Sequence, residues 1–216
     1  MTCRAPRVGL NPLLETWPAG TLLHVVHDAA YPPESFNPGV DAAGVPRWPT
    51  RFAPIRDAAG QVVPYLYAGS TLDYAIFETV FHNVPVDASD KFVDLDDSAH
   101  RSHGTLSPTR DLTLVDLSTD GLHRLRVPKA ELIGSAPMDY LATAAWAQAL
   151  HQQCPVIDGL VWMSRQRDRD RAVVLFGDRV RAGDLTGQRQ GPPLRHNDAL
   201  RQTVLALALR AGIEAA

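Results

Sequence analysis

Cysteine is nearly absent. Cys3 lies beside the N-terminus and Cys154 precedes Pro155, with no CxxC spacing around either, which excludes a disulfide-built scaffold and points to a reducing compartment. Long apolar runs are missing as well. No segment approaches the roughly 18 apolar residues of a membrane span, and Arg4 and Arg7 are not followed by the apolar stretch of a secretory leader. The expectation is a cytoplasmic protein with no membrane partner. Charge of one sign is lacking too: 21 Lys and Arg against 24 Asp and Glu leave a net charge of -3. Such a balance gives no broad attraction for a nucleic-acid backbone, so no direct nucleic-acid binding is expected. The chain has no GxSxG, no Walker A loop and no GxGxxG after a strand, which removes the usual support for a serine-hydrolase, P-loop or Rossmann site.

What is present describes an ordinary folded domain, with 45% hydrophobic and 21% charged residues in 216. Apolar runs with β-branched residues predict strands at 21–26, 62–67, 91–95, 112–117, 160–163 and 172–176. Between the first two, residues 31–54 are rich in Pro and Gly without periodicity, a long loop of the kind that often binds ligands. The turn at Gly69 and Ser70 opens a helix in which Leu72, Ala75, Ile76, Thr79 and Val80 form the core stripe. Ser70 with Asp73 resembles a capping box. Tyr74, Phe77 and Phe81 cover the other side, which puts Glu78 in the middle of an apolar helix. Residues 96–108 read as a polar loop, 138–153 as a second helix and 165–171 as a solvated turn between two strands. The class expected is α+β, a mixed β-sheet core with interspersed helices. An N-terminal extension over 1–20, a main domain over 21–182, a linker over 183–196 and a tail helix over 197–216 complete the organisation. Leu200, Val204, Leu207 and Ala211 form that helix's apolar face, directed at the domain or at a second copy.

Several residues invite chemistry. A carboxylate among apolar neighbours, as at Glu78, carries a desolvation cost unless something pairs with it or uses it. Arg51, in the long loop, offers fixed donors suited to a phosphate. Ser164 ends a strand, where it either contacts a ligand or starts the turn. His24 and His27, like His100 and His103, have HxxH spacing. In a strand, however, residues three apart lie on opposite faces, and no third ligand stands at a suitable spacing, so no metal is expected.

The segments YPPESFNPG (31–39), RFAPI (51–55) and VPYLYAGSTLDYAIFETVFHNVP (63–85) resemble the first half of the RES domain. LTLVDLSTDGLHRL (112–125), WAQALH (146–151), DGLVWMSRQ (158–166) and AVVLFGDRV (172–180) follow in order and resemble its second half. The arginine, glutamate and serine that name this family fall on Arg51, Glu78 and Ser164. Two departures remove positive charge. Val25, with His24 beside it, stands where members commonly carry an arginine, and Ala144 follows Thr143 where another is common.

The resemblance implies a fold similar to the ADP-ribosyltransferase toxins and an enzyme that consumes NAD as substrate, by hydrolysis or by phosphorolysis. Glu78 would stabilise the charge that develops on the ribose, and Arg51 would hold the pyrophosphate. Tyr67 would stack on nicotinamide or ribose, and Ser164 would complete the nicotinamide end, with His27 and Arg165 among the NAD-binding residues. Tyr67, Glu78 and Ser164 are accordingly expected to converge on one pocket. The resemblance also implies a toxin of a toxin–antitoxin pair, with a cognate antitoxin as partner, and a homodimer. Two rivals stay open: ADP-ribosyl transfer to a protein side chain, and a RES-like module that binds a nucleotide or a partner without catalysis.

Overall fold

The computed structural model describes residues 3–216. In chain order the elements are β1 (Leu14–Trp17), β2 (Leu23–Asp28), β3 (Ile55–Arg56), β4 (Val62–Val63), β5 (Tyr65–Gly69), α1 (Leu72–Phe77) and β6 (Phe92–Val93). They continue with β7 (Arg101–Pro108), β8 (Leu112–Asp116), α2 (Thr119–Leu125), α3 (Lys129–Leu132) and α4 (Tyr140–Gln153). β9 (Gly159–Met163), β10 (Arg171–Phe176), β11 (Leu185–Gln190), α5 (Asp198–Arg210) and β12 (Glu214–Ala215) complete the chain. No helix among the described residues is long and apolar enough to cross a membrane.

Eight strands form one mixed sheet in the order β1-β8-β9-β10-β5-β2-β7-β11. Only β8 and β9 run parallel, joined through α2, α3 and α4, while the other pairs are antiparallel. Side chains alternate between two cores, as strand geometry requires. Tyr65, Leu160, Trp162, Val174 and Phe176 pack with Trp146 and Leu150 of α4. Leu66, Leu114, Val161, Val173 and Leu175 join Trp17 and Leu185, from the two edge strands, in a single cluster. A sheet whose opposite edges meet in one core is strongly curled. A third cluster joins Ile76 of α1 and Phe81 to Leu200, Val204 and Leu207 of α5. The tail helix therefore spends its apolar face on its own domain.

β2 and β5 are bonded at one residue pair only, His24↔Gly69. Beyond it the sheet splits, leaving Val25 and Val26 of β2 and Tyr67 and Ala68 of β5 without cross-strand partners in each other. Backbone groups at such a split must find other partners, a ligand among them.

Several expectations from sequence change here. Pro64 lacks an N–H, and the expected strand 62–67 breaks there into β4 and β5. The helix is capped by Thr71, whose side chain accepts from Tyr74 N–H, while Ser70 Oγ instead accepts from Arg171 N–H at 2.9 Å. That helix ends at Phe77, because the amides of Thr79, Val80 and Phe81 all converge on the Ile76 carbonyl. Glu78 is its C-cap rather than a mid-helix residue. The supposed loop 96–108 contains the longest strand, β7, held by ladders to β2 and β11 on both sides. Residues 185–190, read as linker, form the edge strand β11, nearly all exposed and bound through its backbone. Residues 14–17 of the N-terminal extension form the opposite edge.

Candidate functional site

A cavity of about 180 Å³ opens at the split between β2 and β5. His24 and Val26 line it from β2, Tyr67 from β5, Glu78 from the end of α1, Trp162 from β9 and Arg51 from the long loop. Arg165 and Tyr140 also line it.

Glu78 Oε1 accepts a hydrogen bond from Ser164 Oγ at 3.0 Å, and Oε2 lies 3.9 Å from His82 Nδ1. Ser164 is fully enclosed, with 0% exposure, and its oxygen also accepts from the amides of Gln166 and Arg167 at 3.1 Å each. Two incoming N–H donors leave the hydroxyl proton one direction, toward Glu78. The serine is therefore part of the site but not among the cavity-lining residues, and the group it contacts there is the glutamate. Tyr67, Glu78 and Ser164 do converge, through a direct bond between the last two.

The Tyr67 hydroxyl is also committed to the scaffold. It accepts from Phe52 N–H at 3.0 Å and shares a 3.0 Å bond with Thr50 Oγ1, which itself donates to the Ala53 carbonyl. Tyr67 must then be the donor to Thr50, and burial pushes its phenol well above the usual range. Its hydroxyl pins the Arg51 loop, and its ring faces the cavity.

Arg51 Nη1 donates to Ser135 Oγ at 2.6 Å and to the carbonyls of Leu132 and Ser135 at 3.3 Å, while the guanidinium sits over the Tyr140 ring at 5.2 Å. The Thr143 hydroxyl donates to the Arg51 carbonyl and holds the backbone. Arg165 reaches the same Ser135 carbonyl at 3.4 Å. Burial lowers the Arg51 pKa, and the nearby Arg165 charge adds to that shift. Two guanidinium groups converging on one carbonyl, each with donors to spare, make a setting that an anion relieves.

His27 is not among the residues lining the cavity; it lies opposite Ser102 of β7, with its side chain on the other face of β2 from His24 and Val26. Sequence reasoning missed Trp162, Tyr140, Thr143, Ser135 and His82. Trp162 had a signal, since it stands on β9 two residues before Ser164, which directly follows the strand. His82 stands only four residues after Glu78; Tyr140, Thr143 and Ser135 had no signal, because α3, α4 and the segment joining them approach the Arg51 loop only in three dimensions.

The two HxxH motifs meet unexpectedly. His24 Nδ1 lies 3.0 Å from His103 Nε2. Among the described residues no group of three or more His, Cys, Asp or Glu is gathered as a metal set. Burial, then the charges of His24, His27 and Arg189, pushes the His103 pKa down to about 4. The unfolded chain then binds this proton near pH 6.5 and the folded one near 4, so His103 contributes stability above pH 6.5 that is lost as pH falls through that window. Measured against His103→Gln, wild type should hold a constant difference in thermal stability above pH 6.5 and lose ground as pH falls from 6.5 toward 4; a difference that stays constant through that window would exclude this linkage.

A family model described as the RES domain matches residues 21–195. Curated proteins give no match. Among solved structures, a chain of the M. tuberculosis MbcT–MbcA toxin–antitoxin complex is similar at 15% identity with a TM-score of 0.56, covering 89% of this chain and 92% of that one. That likeness shows the shared α+β fold. With four-fifths of its length under the family model, including Arg51, Glu78 and Ser164, the chain belongs to the RES-domain family.

Proposed function

We propose that this protein cleaves the nicotinamide–ribose bond of NAD, with Glu78 as the catalytic carboxylate, and that it is the toxin of a toxin–antitoxin pair. The observation that carries the reading is the Glu78 carboxylate, turned to a small cavity and held there by a buried serine, opposite two converging arginines. At about 180 Å³ the cavity is smaller than the roughly 300–1,000 Å³ of a whole small-molecule site, and it suits one end of a dinucleotide. The nicotinamide ribose enters, and the pyrophosphate stays at the mouth with Arg51 and Arg165.

Departure of nicotinamide leaves positive charge on the ribose, which a fixed carboxylate stabilises more than it does the ground state. Glu78 is suited to this because Ser164 fixes Oε1 before substrate arrives, leaving Oε2 for the sugar. The Tyr67 and Trp162 rings offer apolar faces to the nicotinamide. Arg51 spends Nη1 on the protein and keeps Nη2 and Nε for phosphate oxygens.

The reaction is tested by incubating the protein with NAD, with and without phosphate, and identifying products by mass. ADP-ribose marks hydrolysis and its 1-phosphate marks phosphorolysis. ADP-ribose attached to a protein would move the reading to a transferase, and unchanged NAD would leave a binding module. For the toxin reading, induced wild type should arrest a host while its NAD falls, and Glu78→Gln should not. The cognate antitoxin and a homodimer belong to this proposal; the complex in which the structural neighbour was solved supports the former. Arg51→Ala is expected to raise the Kd for NAD by about tenfold or more, the scale of one charge-assisted hydrogen bond, with little change for free nicotinamide. Calorimetry showing equal weakening of both ligands would assign Arg51 to holding the loop alone.

A further inference from the structure

His24 stands between two cavities. One is the candidate active pocket, and the other is a groove lined by His103, Thr105, Arg189, Asn197 and Thr203 between the β7–β11 edge and the start of α5. On the shared face of β2 and β7, His24 and His103 are diagonal neighbours, His24 lying opposite Thr105 and His103 opposite Val26.

Their geometry is specific. The rings are within 2° of parallel, with centres 5.2 Å apart and facing nitrogens 3.0 Å apart. The separation of centres beyond that of the nitrogens is taken up by the two ring radii, so the nitrogens lie close to the line of centres. The rings meet edge to edge in one plane and do not stack face to face. Two lone pairs aimed at each other at 3.0 Å leave no room for a metal between them, whereas a single proton fits as an N–H···N bond. The outer nitrogens, Nε2 of His24 and Nδ1 of His103, have no partner among the described residues and are not sealed from solvent, unlike Nε2 of His27.

We propose that His24 and His103 form a proton relay that carries the proton of the attacking nucleophile out of the active pocket into the second groove. This rests on the NAD-cleaving reading and assigns its acceptor as a hydroxylic nucleophile, water in the simplest case. The ribose–nitrogen bond breaks with its electron pair going to the nicotinamide ring, which becomes neutral. A water oxygen bonds the ribose carbon and gives its proton to His24 Nε2. His24 passes its Nδ1 proton to His103 Nε2, and His103 releases its Nδ1 proton to the groove. One NAD and one water yield ADP-ribose, nicotinamide and one proton, and both imidazoles return to neutrality after tautomer exchange. His24 is the catalytic residue of the relay, and His103 acts through it.

The surroundings keep the pair neutral. Burial first, then His24, His27 on the other face of β2 and Arg189 of β11, disfavour a charged His103. Glu78, His82, Arg51 and Arg165 face the pocket side of His24, and the groove-lining residues of α5 are uncharged. Burial lowers the His24 pKa as well.

The test combines NAD turnover across pH with proton NMR of the free protein. Wild type should show a low-field imidazole N–H signal that disappears in both His24→Asn and His103→Ala. His24→Asn should lower kcat by about 100-fold, the lower end for a positioned acid–base group, and His103→Ala by about tenfold. KM for NAD should hardly move in His103→Ala, the acid limb of its pH profile should shift, and added imidazole should restore turnover through the open groove. A filler role for His103 predicts none of these last effects. If wild type cleaves NAD and His103→Ala keeps its kcat and pH profile, the relay is overturned and the NAD reading stands. If wild type leaves NAD intact, the functional reading fails and takes the relay with it, whatever the NMR signal shows.

Discussion

Glu78→Gln is expected to fold as wild type does and to lose NAD turnover by two orders of magnitude or more. The substitution keeps the size of the side chain and leaves an oxygen to accept from Ser164, which bonds the carboxylate at 3.0 Å. It removes the negative charge that should oppose the developing ribose cation. Losing one preorganised electrostatic partner in a shielded site costs about 10²–10³ in kcat. KM should change much less, because the ground-state ribose carries no such charge for the carboxylate to hold. Since Glu78 is a helix C-cap whose own amide bonds the Tyr74 carbonyl, the backbone has no reason to respond. Steady-state kinetics beside a thermal melt check both halves. Near-normal turnover in a well-folded variant would falsify the assigned role.

Ser164→Ala has the other large expected effect, and it falls on both stability and activity. The Ser164 oxygen is the acceptor for the amides of Gln166 and Arg167 and the source of the proton that fixes Glu78. Truncation leaves buried donors unsatisfied, at about 1–3 kcal/mol for such a group. Turnover should fall by about tenfold, less than in Glu78→Gln, because the carboxylate survives but loses its fixed orientation. In the double variant the activity losses should be strongly sub-additive, as for two groups acting as a unit. Fully additive losses would separate Ser164 from Glu78 and return the serine to a purely structural turn. Denaturant unfolding and kcat, measured on the two single variants and the double, decide the matter.

The elements that could be read in the sequence share one property: their side chains decide them. β9 and β10 are runs of buried Val, Leu, Trp and Phe, and α4 and α5 carry buried residues at helical spacing. Those that could not be read are decided by backbone pairing. β11 exposes five of six residues, and β7 is built largely from Arg, Ser, His, Gly and Thr. Neither has a periodic apolar signature, because ladders to neighbours distant in sequence hold them. The helical pattern runs past the end of the short α1, because Thr79 and Val80 keep helical spacing after the backbone has already closed on Ile76.

The site divides in the same way. Sequence alone named Arg51, Tyr67, Glu78, Ser164 and Arg165, since motif order along one chain is enough to identify a family. It could not say which of them face a ligand. Ser164 turned out to be enclosed behind Glu78, the Tyr67 hydroxyl to be spent on the Arg51 loop, and His27 to lie on the far side of the sheet. The pairing of His24 with His103, 79 residues apart, belongs wholly to tertiary structure. Residue identity is written locally, but direction, partner and enclosure depend on strand register and on the split between β2 and β5. Register is set by cooperative packing of the whole sheet, which no local stretch of sequence encodes.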